Sequence, residues 1–119
     1  MINPRVHASE FEVLIAKLFW QMGATIVEEI QVGRDPGYDL RIRASDGKAE
    51  AVVEIKLYRT LKIADSIVRQ SFKQLERAME RSGVDRGILV TNARVSEAVH
   101  AEGRELDIVI DLRPISPPV

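Results

Sequence analysis

The sequence contains no cysteine, and its only two histidines, His7 and His100, lie far apart. Without thiols, the chain can form neither a disulfide framework nor a thiolate zinc site. Two distant histidines likewise give little support to a histidine-ligated metal centre. Because disulfides are absent, a reducing, cytoplasmic setting is the simplest expectation.

Long apolar runs are missing as well. No stretch approaches the length of about 20 residues that a membrane-spanning helix requires, and the first five residues, Met1 to Arg5, do not resemble the apolar core of a signal peptide. A membrane is therefore not expected among the partners of this protein.

Charge of one sign is not in excess, since 17 basic and 18 acidic residues leave a formal net charge of −1. The molecule as a whole does not attract polyanions, and any nucleic-acid site must arise from how the charges are distributed. The length of 119 residues fits one domain. We expect that domain at residues 1–112 and a disordered tail or linker in the proline-rich residues 113–119.

Apolar periodicity and turn signals divide the chain into helices and strands. A first helix is expected to open at Asn3-Pro4 and to end at Gly23. The other elements are expected as strands at 24–32, 38–44 and 49–57, a helix at 63–81, a strand at 86–91, a helix from Ser96 to Gly103 and a strand at 107–112. This α-β-β-β-α-β-α-β order predicts an α/β sandwich with a central mixed five-stranded sheet, in which an antiparallel meander precedes parallel crossover units.

The turn from Ser45 to Lys48 sets the pairing of the second and third strands. If Asp46-Gly47 are the central residues of a type I′ turn, then Arg43 pairs with Glu50 and Asp39 pairs with Glu54. Alternation then places apolar side chains on one face, which is expected to be core, and charged ones on the other. The apolar face holds Leu40, Ile42, Ala44, Ala49, Ala51, Val53 and Ile55; the charged face holds Asp39, Arg41, Arg43, Glu50, Glu54 and Lys56.

Asp39 and Glu54 are the unusual pair in this arrangement. Two carboxylates directly across a ladder have Cβ atoms about 4.5–5.5 Å apart and repel each other. A hard divalent cation such as Mg²⁺ or Mn²⁺ between them would turn that repulsion into attraction. Lys56 points to the same side and can reach the same volume. The alternative is a salt-bridged, solvated strand face with no catalytic role.

These residues resemble the PD-(D/E)xK nuclease superfamily, and the wider pattern resembles its Mrr-type restriction-endonuclease branch. The stretches that carry the resemblance lie in the family's order and span roughly residues 8–112. They are Phe11-Glu12, the turn from Asp35 to Asp39, the strand from Val53 to Leu57, the helix segment from Gln70 to Gln74 and the strand from Gly87 to Asn92. Two departures are that Tyr38, not proline, precedes Asp39, and that Glu54 stands where the branch often has glutamine.

The resemblance implies a role for each residue of the motif. Asp39 and Glu54, with the carbonyl of Ile55, would bind Mg²⁺, for which Mn²⁺ could substitute. Lys56 would orient or deprotonate the attacking water and stabilise the charge that develops on the phosphorus. Glu12, Gln70 and Gln74 would complete the active site.

The flanking helices allow other interpretations from the residues themselves. Glu12 lies at the core boundary of the first helix, but it also forms a capping-box pattern with Ser9. In the long helix, basic residues recur every four positions and suit a phosphate backbone, although a solvated helix face would show the same pattern. This basic stripe consists of Arg69, Lys73, Arg77 and Arg81, and Gln70 and Gln74 lie at its border with the buried arc.

The leading expectation is a Mg²⁺-dependent deoxyribonuclease, a restriction, defence or repair endonuclease domain that hydrolyses DNA phosphodiester bonds. A Holliday-junction-type, structure-selective resolvase is one alternative, and a non-cleaving DNA-binding or assembly module of the same fold is another. Since one domain of this size cuts one strand per site, a homodimer or higher assembly is expected. A further recognition domain or subunit would supply specificity.

Overall fold

The computed structural model describes residues 17, 20, 23–30, 38–43 and 49–113; within residues 26–30 and 38–40 it describes the backbone alone. Most of the expected first helix, the turns at 31–37 and 44–48 and the expected tail lie outside the described residues. Lys17 and Trp20 are helical, and the backbone N–H of Gly23 donates to the carbonyl of Trp20 at 3.0 Å. Gly23 has φ of +84°, as expected of the glycine that follows a helix.

Strands and helices alternate along the described residues in the expected order. They are β1 (Thr25–Ile30), β2 (Tyr38–Arg43), β3 (Glu50–Lys56), α1 (Asp65–Ser82), β4 (Gly87–Thr91), α2 (Glu97–Glu105) and β5 (Ile108–Leu112). None of the helices in this part of the chain is long and apolar enough to span a membrane.

The strands form one mixed sheet in the order β1-β2-β3-β4-β5. The pairs β1–β2 and β2–β3 are antiparallel, whereas β3–β4 and β4–β5 are parallel. The predicted meander followed by parallel crossovers is therefore confirmed, as is the mixed α/β class. As a result, β3, β4 and β5 end at one edge of the sheet, which we call the C-terminal edge, and β2 begins there.

The register between β2 and β3 is the one that the turn predicts. Arg43 pairs with Glu50 and Asp39 pairs with Glu54. A shift of one residue would have moved Glu54 to the other face of the sheet, because side chains alternate along a strand. The backbone thus brings positions 39 and 54 together at the C-terminal edge.

Both faces of β3 are buried, including the charged face that would be solvated if it had no catalytic role. Ala51, Val53 and Ile55 are buried on the face that was expected to be apolar. Val52 and Glu54 are buried on the opposite, charged face, and Val52 belongs to the cluster that packs under α1 and α2. A strand in the middle of a partly parallel sheet is covered on both sides, so simple alternation does not identify its solvent face. That cluster consists of Val52, Ile63, Val68, Phe72, Leu75, Ala78, Val84, Leu89, Ala93, Val99, Ile108 and Ile110.

The helix ends follow from their caps. Gly83 adopts the left-handed conformation with φ of +64°, and its N–H donates to the carbonyl of Glu80 at 3.3 Å. Ser96 caps α2 as expected, because its Oγ accepts from the N–H of Val99 at 3.4 Å. Burial along α1 departs from polarity at two positions, since the apolar Ile67 is exposed and the polar Ser71 is buried.

Gly103 marks a close approach of α2 to β5 and to Phe72 of α1. A Cβ atom at this position would lie 2.8 Å from the backbone carbonyl oxygen of Ile108 and 3.0 Å from Cζ of Phe72. The backbone of β5 cannot withdraw as the end of a flexible side chain would. Packing therefore requires a residue without a Cβ atom at position 103.

We predict that Gly103→Ala lowers the free energy of unfolding by about 1–3 kcal/mol, because overpacking outweighs the gain in helix propensity. Urea denaturation followed by circular dichroism measures the change. The control is Glu105→Ala in the same helix, where the side chain is exposed and the effect should stay within about 0.5 kcal/mol. A Gly103→Ala protein as stable as the wild type would contradict the close approach.

Candidate active site

Glu54 is a carboxylate in the middle of the sheet. It pairs with Asp39 of β2 on one side and with Leu89 of β4 on the other, and it is only 3% exposed. Its face of the sheet is the one covered by α1 and α2. Removing an ionised carboxylate from water is costly unless a cation or hydrogen-bond donors compensate. The position of Glu54 therefore requires a cation or hydrogen-bond donors close by.

Lys56 supplies such a partner. Its Nζ lies 3.5 Å from Oε1 of Glu54, and its side chain is 17% exposed, so it lies between the buried carboxylate and solvent. The two residues face the same side because they are two positions apart on one strand. Desolvation offsets much of the attraction in a buried ion pair, which makes such a pair a poor source of stability. A chemical role explains the arrangement better than a structural one.

The other charged residues of this face form a separate cluster towards the β2–β3 turn. Glu50 accepts hydrogen bonds from Nε of Arg41 at 2.8 Å and from Nη2 of Arg43 at 3.0 Å, which confirms the expected pair between Arg43 and Glu50. The hydrogen bond from Arg41, and then that from Arg43, lowers the pKa of Glu50 below its usual value. These three residues satisfy one another, whereas Glu54 and Lys56 lie at the other end of the strand.

The backbone of Asp39 lies next to this site. Its Cα pairs with that of Glu54 across the antiparallel ladder, and directly opposed positions have Cβ atoms about 4.5–5.5 Å apart. The side chain of Asp39 is not among those described. Position 39 is therefore close to Glu54, and a shared ion remains a prediction.

Three further observations concern the expected metal ion and the other expected site residues. Among the described residues there is no group of three or more His, Cys, Asp or Glu side chains that could hold a metal ion. Ile55 lies between Glu54 and Lys56 with its own side chain 1% exposed, and the proposed role of its carbonyl stays a prediction. Glu12 lies outside the described residues. The structure does offer the buried carboxylate of Glu54 opposite the position of Asp39. Two such carboxylates suit a hard divalent cation.

The two predicted glutamines differ in their surroundings. Gln70 is exposed on α1, whereas Gln74 is half-buried. Ser71 is the polar residue on the buried arc: it is 2% exposed, and its Oγ donates to the carbonyl of Ile67 at 3.4 Å. Ser71 is not among the predicted site residues, although its spacing from Val68 and Leu75 places it on the arc that faces the sheet.

The basic stripe lies on the exposed side of α1, as its spacing predicts. One of its members is already engaged: Nε and Nη2 of Arg69 donate to the two carboxylate oxygens of Glu102 in α2, at 2.9 Å and 2.8 Å. This hydrogen bonding lowers the pKa of Glu102 and raises that of Arg69. Arg69 thus links the two helices.

Asn92 has a positioning role that the sequence does not reveal. Its Oδ1 accepts from the N–H of Tyr58 at 2.8 Å, and its Nδ2 donates to the carbonyl of Tyr58 at 2.9 Å. The amide thereby holds the chain that leaves β3 beside the chain that leaves β4, two residues after Lys56. Asn92 follows an apolar strand in the sequence, but nothing in the sequence indicates a partner 34 positions away.

We predict that Asn92→Ala lowers the free energy of unfolding by about 1–3 kcal/mol, because two backbone groups lose their hydrogen bonds. Urea denaturation measures the loss. Thr60→Ala, an exposed position in the same loop, is the control and should change stability by less than about 0.5 kcal/mol. Equal stability of Asn92→Ala and the wild type would show that the amide does not hold the two chain segments.

Comparison of the sequence with known protein families identifies the family of this chain. A family model described as a restriction endonuclease, the Mrr catalytic domain, matches residues 4–112. A search of curated proteins gives no significant match.

Solved structures share the fold. One is described as the structure of EndoMS in apo form: it is 22% identical, with a TM-score of 0.62, and the match covers 94% of this chain and 47% of that one. Another is a repair endonuclease from Pyrococcus abyssi: it is 16% identical, with a TM-score of 0.55, and the match covers 99% of this chain and 49% of that one. At these identities the likeness concerns the fold, and the chain spans about half the length of each.

The family match covers most of the chain, and it coincides with a buried carboxylate and a lysine at the C-terminal edge of a restriction-endonuclease-like sheet. Nucleases of this kind generally use divalent metal ions. The chain belongs to the Mrr-type restriction endonuclease family.

Proposed function

We propose that this domain is a Mg²⁺-dependent endonuclease that hydrolyses phosphodiester bonds of DNA, and that Glu54, Lys56 and Asp39 form its active site. The observation that carries the proposal is the buried carboxylate of Glu54 with Nζ of Lys56 at 3.5 Å, directly across the ladder from position 39. A structural ion pair has no need of a second acidic residue opposite the first. A metal-dependent hydrolase does.

In this proposal the carboxylates of Asp39 and Glu54, with the carbonyl of Ile55, hold the cation. A Mg²⁺ or Mn²⁺ ion held there would polarise a phosphoryl oxygen and lower the pKa of a bound water. The ammonium of Lys56 orients the attacking water and stabilises negative charge that develops on the phosphate. Its partly buried position strengthens these interactions, because few water molecules screen them.

Glu54 has a second task in the proposed site. With Oε1 near Nζ of Lys56, it limits where the ammonium can lie. The β3 backbone holds both residues, so the geometry does not depend on a mobile loop. Such rigidity suits a site in which the water and the phosphate must be aligned.

The first prediction from this proposal concerns strand cleavage. In Mg²⁺ or Mn²⁺ the wild type should nick supercoiled plasmid, and Glu54→Gln and Lys56→Ala should each slow cleavage by about 10²–10³-fold. The matched control is Glu50→Gln, which changes the same chemistry on the same strand but acts in the ion-pair cluster with Arg41 and Arg43. It should cleave at a rate close to that of the wild type.

Two further measurements help to interpret the cleavage assay. Calorimetric titration with Mn²⁺ measures metal binding by each variant, and cleavage of alternative substrates tests which DNA structure is cut. Glu54→Gln should lose Mn²⁺ binding, whereas Lys56→Ala should retain it, because only the carboxylate is a proposed ligand. Preferential cutting of four-way junctions over linear duplex would assign the domain as a resolvase. If the wild type cuts no DNA or RNA in any metal while still binding DNA, the enzymatic proposal is wrong and the domain is a binding module.

We also propose that cleavage of both strands needs a second copy of this domain, because one site cuts one strand. Size-exclusion chromatography with light scattering should give a dimer or a larger assembly when duplex DNA is present in Ca²⁺, a metal that often permits binding without cutting. A monomer mass both alone and on DNA would contradict this.

We further propose that specificity for sequence or structure comes from a further recognition domain or subunit.

A further inference from the structure

Two loops flank the candidate active site at the C-terminal edge. Residues 57–64 follow Lys56 and lead into α1, and residues 92–96 follow Thr91 and lead into α2. We call these two loops together the edge platform. Because β3 and β4 are parallel neighbours, both loops leave the sheet beside Glu54 and Lys56.

The two loops are joined to each other at two points. The side chain of Asn92 bonds both backbone groups of Tyr58. Further along, Lys62 and Arg94 form a parallel bridge, in which the N–H of Arg94 donates to the carbonyl of Leu61 at 2.8 Å and that of Ile63 to the carbonyl of Arg94 at 3.1 Å. The loops therefore extend the β3–β4 pairing beyond the strands, and a ligand need not order them on binding.

The charge of the edge platform is entirely positive. Its residues include Arg59, Lys62 and Arg94 but no aspartate or glutamate. All three cations are exposed, and within residues 49–113 none of them has an ion-pair partner. Leu61 is 89% exposed, so this part of the platform faces solvent and not the core.

Two described loops at the opposite edge have the reverse balance. Residues 83–86, which precede β4, and 106–107, which precede β5, contain Asp85, Asp107 and a single cation, Arg86. The near-zero net charge of the chain therefore conceals a difference between these two pairs of described loops. The positive pair is the one that follows the strand of Glu54 and Lys56 and its parallel neighbour.

The edge platform is also a better candidate for phosphate binding than the basic stripe of α1. Arg69 of the stripe is engaged by Glu102, and the exposed acids Glu76 and Glu80 lie among the remaining stripe residues in the same helix. No acidic residue competes within the platform loops.

We propose that the edge platform binds the phosphodiester backbone next to the scissile phosphate, through Arg59, Lys62 and Arg94. This inference rests on the proposed function for the identity of the substrate. Each side chain can neutralise one phosphate, and such contacts fix the position of the nucleic acid without reading its bases. Binding through the platform should therefore depend strongly on salt and little on sequence.

The test is the salt dependence of binding to a fluorescent DNA duplex, measured by anisotropy in EDTA so that no metal-dependent cutting occurs. For Lys62→Ala/Arg94→Ala, the slope of log K against log salt should be smaller by about 2, because each lost phosphate contact removes roughly 0.9. The backbone of Lys62 and Arg94 forms the bridge, so both substitutions should leave the fold intact. Thermal unfolding of the variant checks this.

The charge-matched control is Arg86→Ala/Arg104→Ala, which removes two exposed cations near the opposite edge. Its salt slope should equal that of the wild type. A second comparison, Lys73→Ala/Arg77→Ala, tests the basic stripe. An unchanged slope in the platform variant, or a drop confined to the stripe variant, would overturn the proposal.

The outcome is independent of the proposed catalysis. If the wild type cuts DNA but the platform variant keeps its full salt slope, the platform proposal is wrong and the nuclease proposal stands. If no cutting is observed but the platform variant alone loses its salt slope, the nuclease proposal is wrong and the binding surface stands. A wild type that binds no DNA in EDTA would overturn the platform.

Discussion

The proximity of a buried carboxylate and a lysine on β3 is the feature on which the interpretation of this domain depends. Glu54 is 3% exposed, and Nζ of Lys56 lies 3.5 Å from its Oε1. The register between β2 and β3 places Asp39 opposite Glu54. A slip by one residue would send Glu54 and Lys56 together to the other face of the sheet and would remove Asp39 from its place opposite Glu54.

The fold keeps this site apart from charges that serve structure. Near the β2–β3 turn, Arg41 and Arg43 neutralise Glu50, and between the helices Arg69 neutralises Glu102. Exposed pairs of this kind contribute little to stability individually, but they engage charges that would otherwise compete for ligands. Position 39, Glu54, Lys56 and the two loops that follow β3 and β4 lie together at the C-terminal edge instead.

Parallel pairing explains why the site and the edge platform lie together. Strands that run in the same direction end at the same edge, so the loops after β3 and β4 emerge side by side. Their connections through Asn92 and the Lys62–Arg94 bridge continue the sheet outward. An active site built on the rigid strand end and a binding surface built on the joined loops thus share one origin in the topology.

Much of this arrangement can be predicted from local patterns. The strong turn at Asp46-Gly47 and the alternation around it are sufficient to predict the register from Arg43–Glu50 to Asp39–Glu54, because hairpin pairing is a short-range property. Caps at Gly83 and Ser96 and the order of helices and strands are local in the same sense. The motif of Asp39, Glu54 and Lys56 then leads to the nuclease family.

Long-range packing decides what local patterns cannot. Alternation along β3 leaves open whether the charged face is solvated. Because α1 covers that face, the carboxylate of Glu54 is buried and Ser71 lies on the buried arc of the helix. The hydrogen bonds of Asn92 to Tyr58, the engagement of Arg69 by Glu102 and the meeting of Lys62 with Arg94 each join residues about 30 positions apart. The sequence alone thus determines which residues could perform the chemistry, through spacing and turn geometry. Only the tertiary structure decides which of them are buried, engaged or exposed, because burial and ion pairing depend on elements that meet when the chain folds.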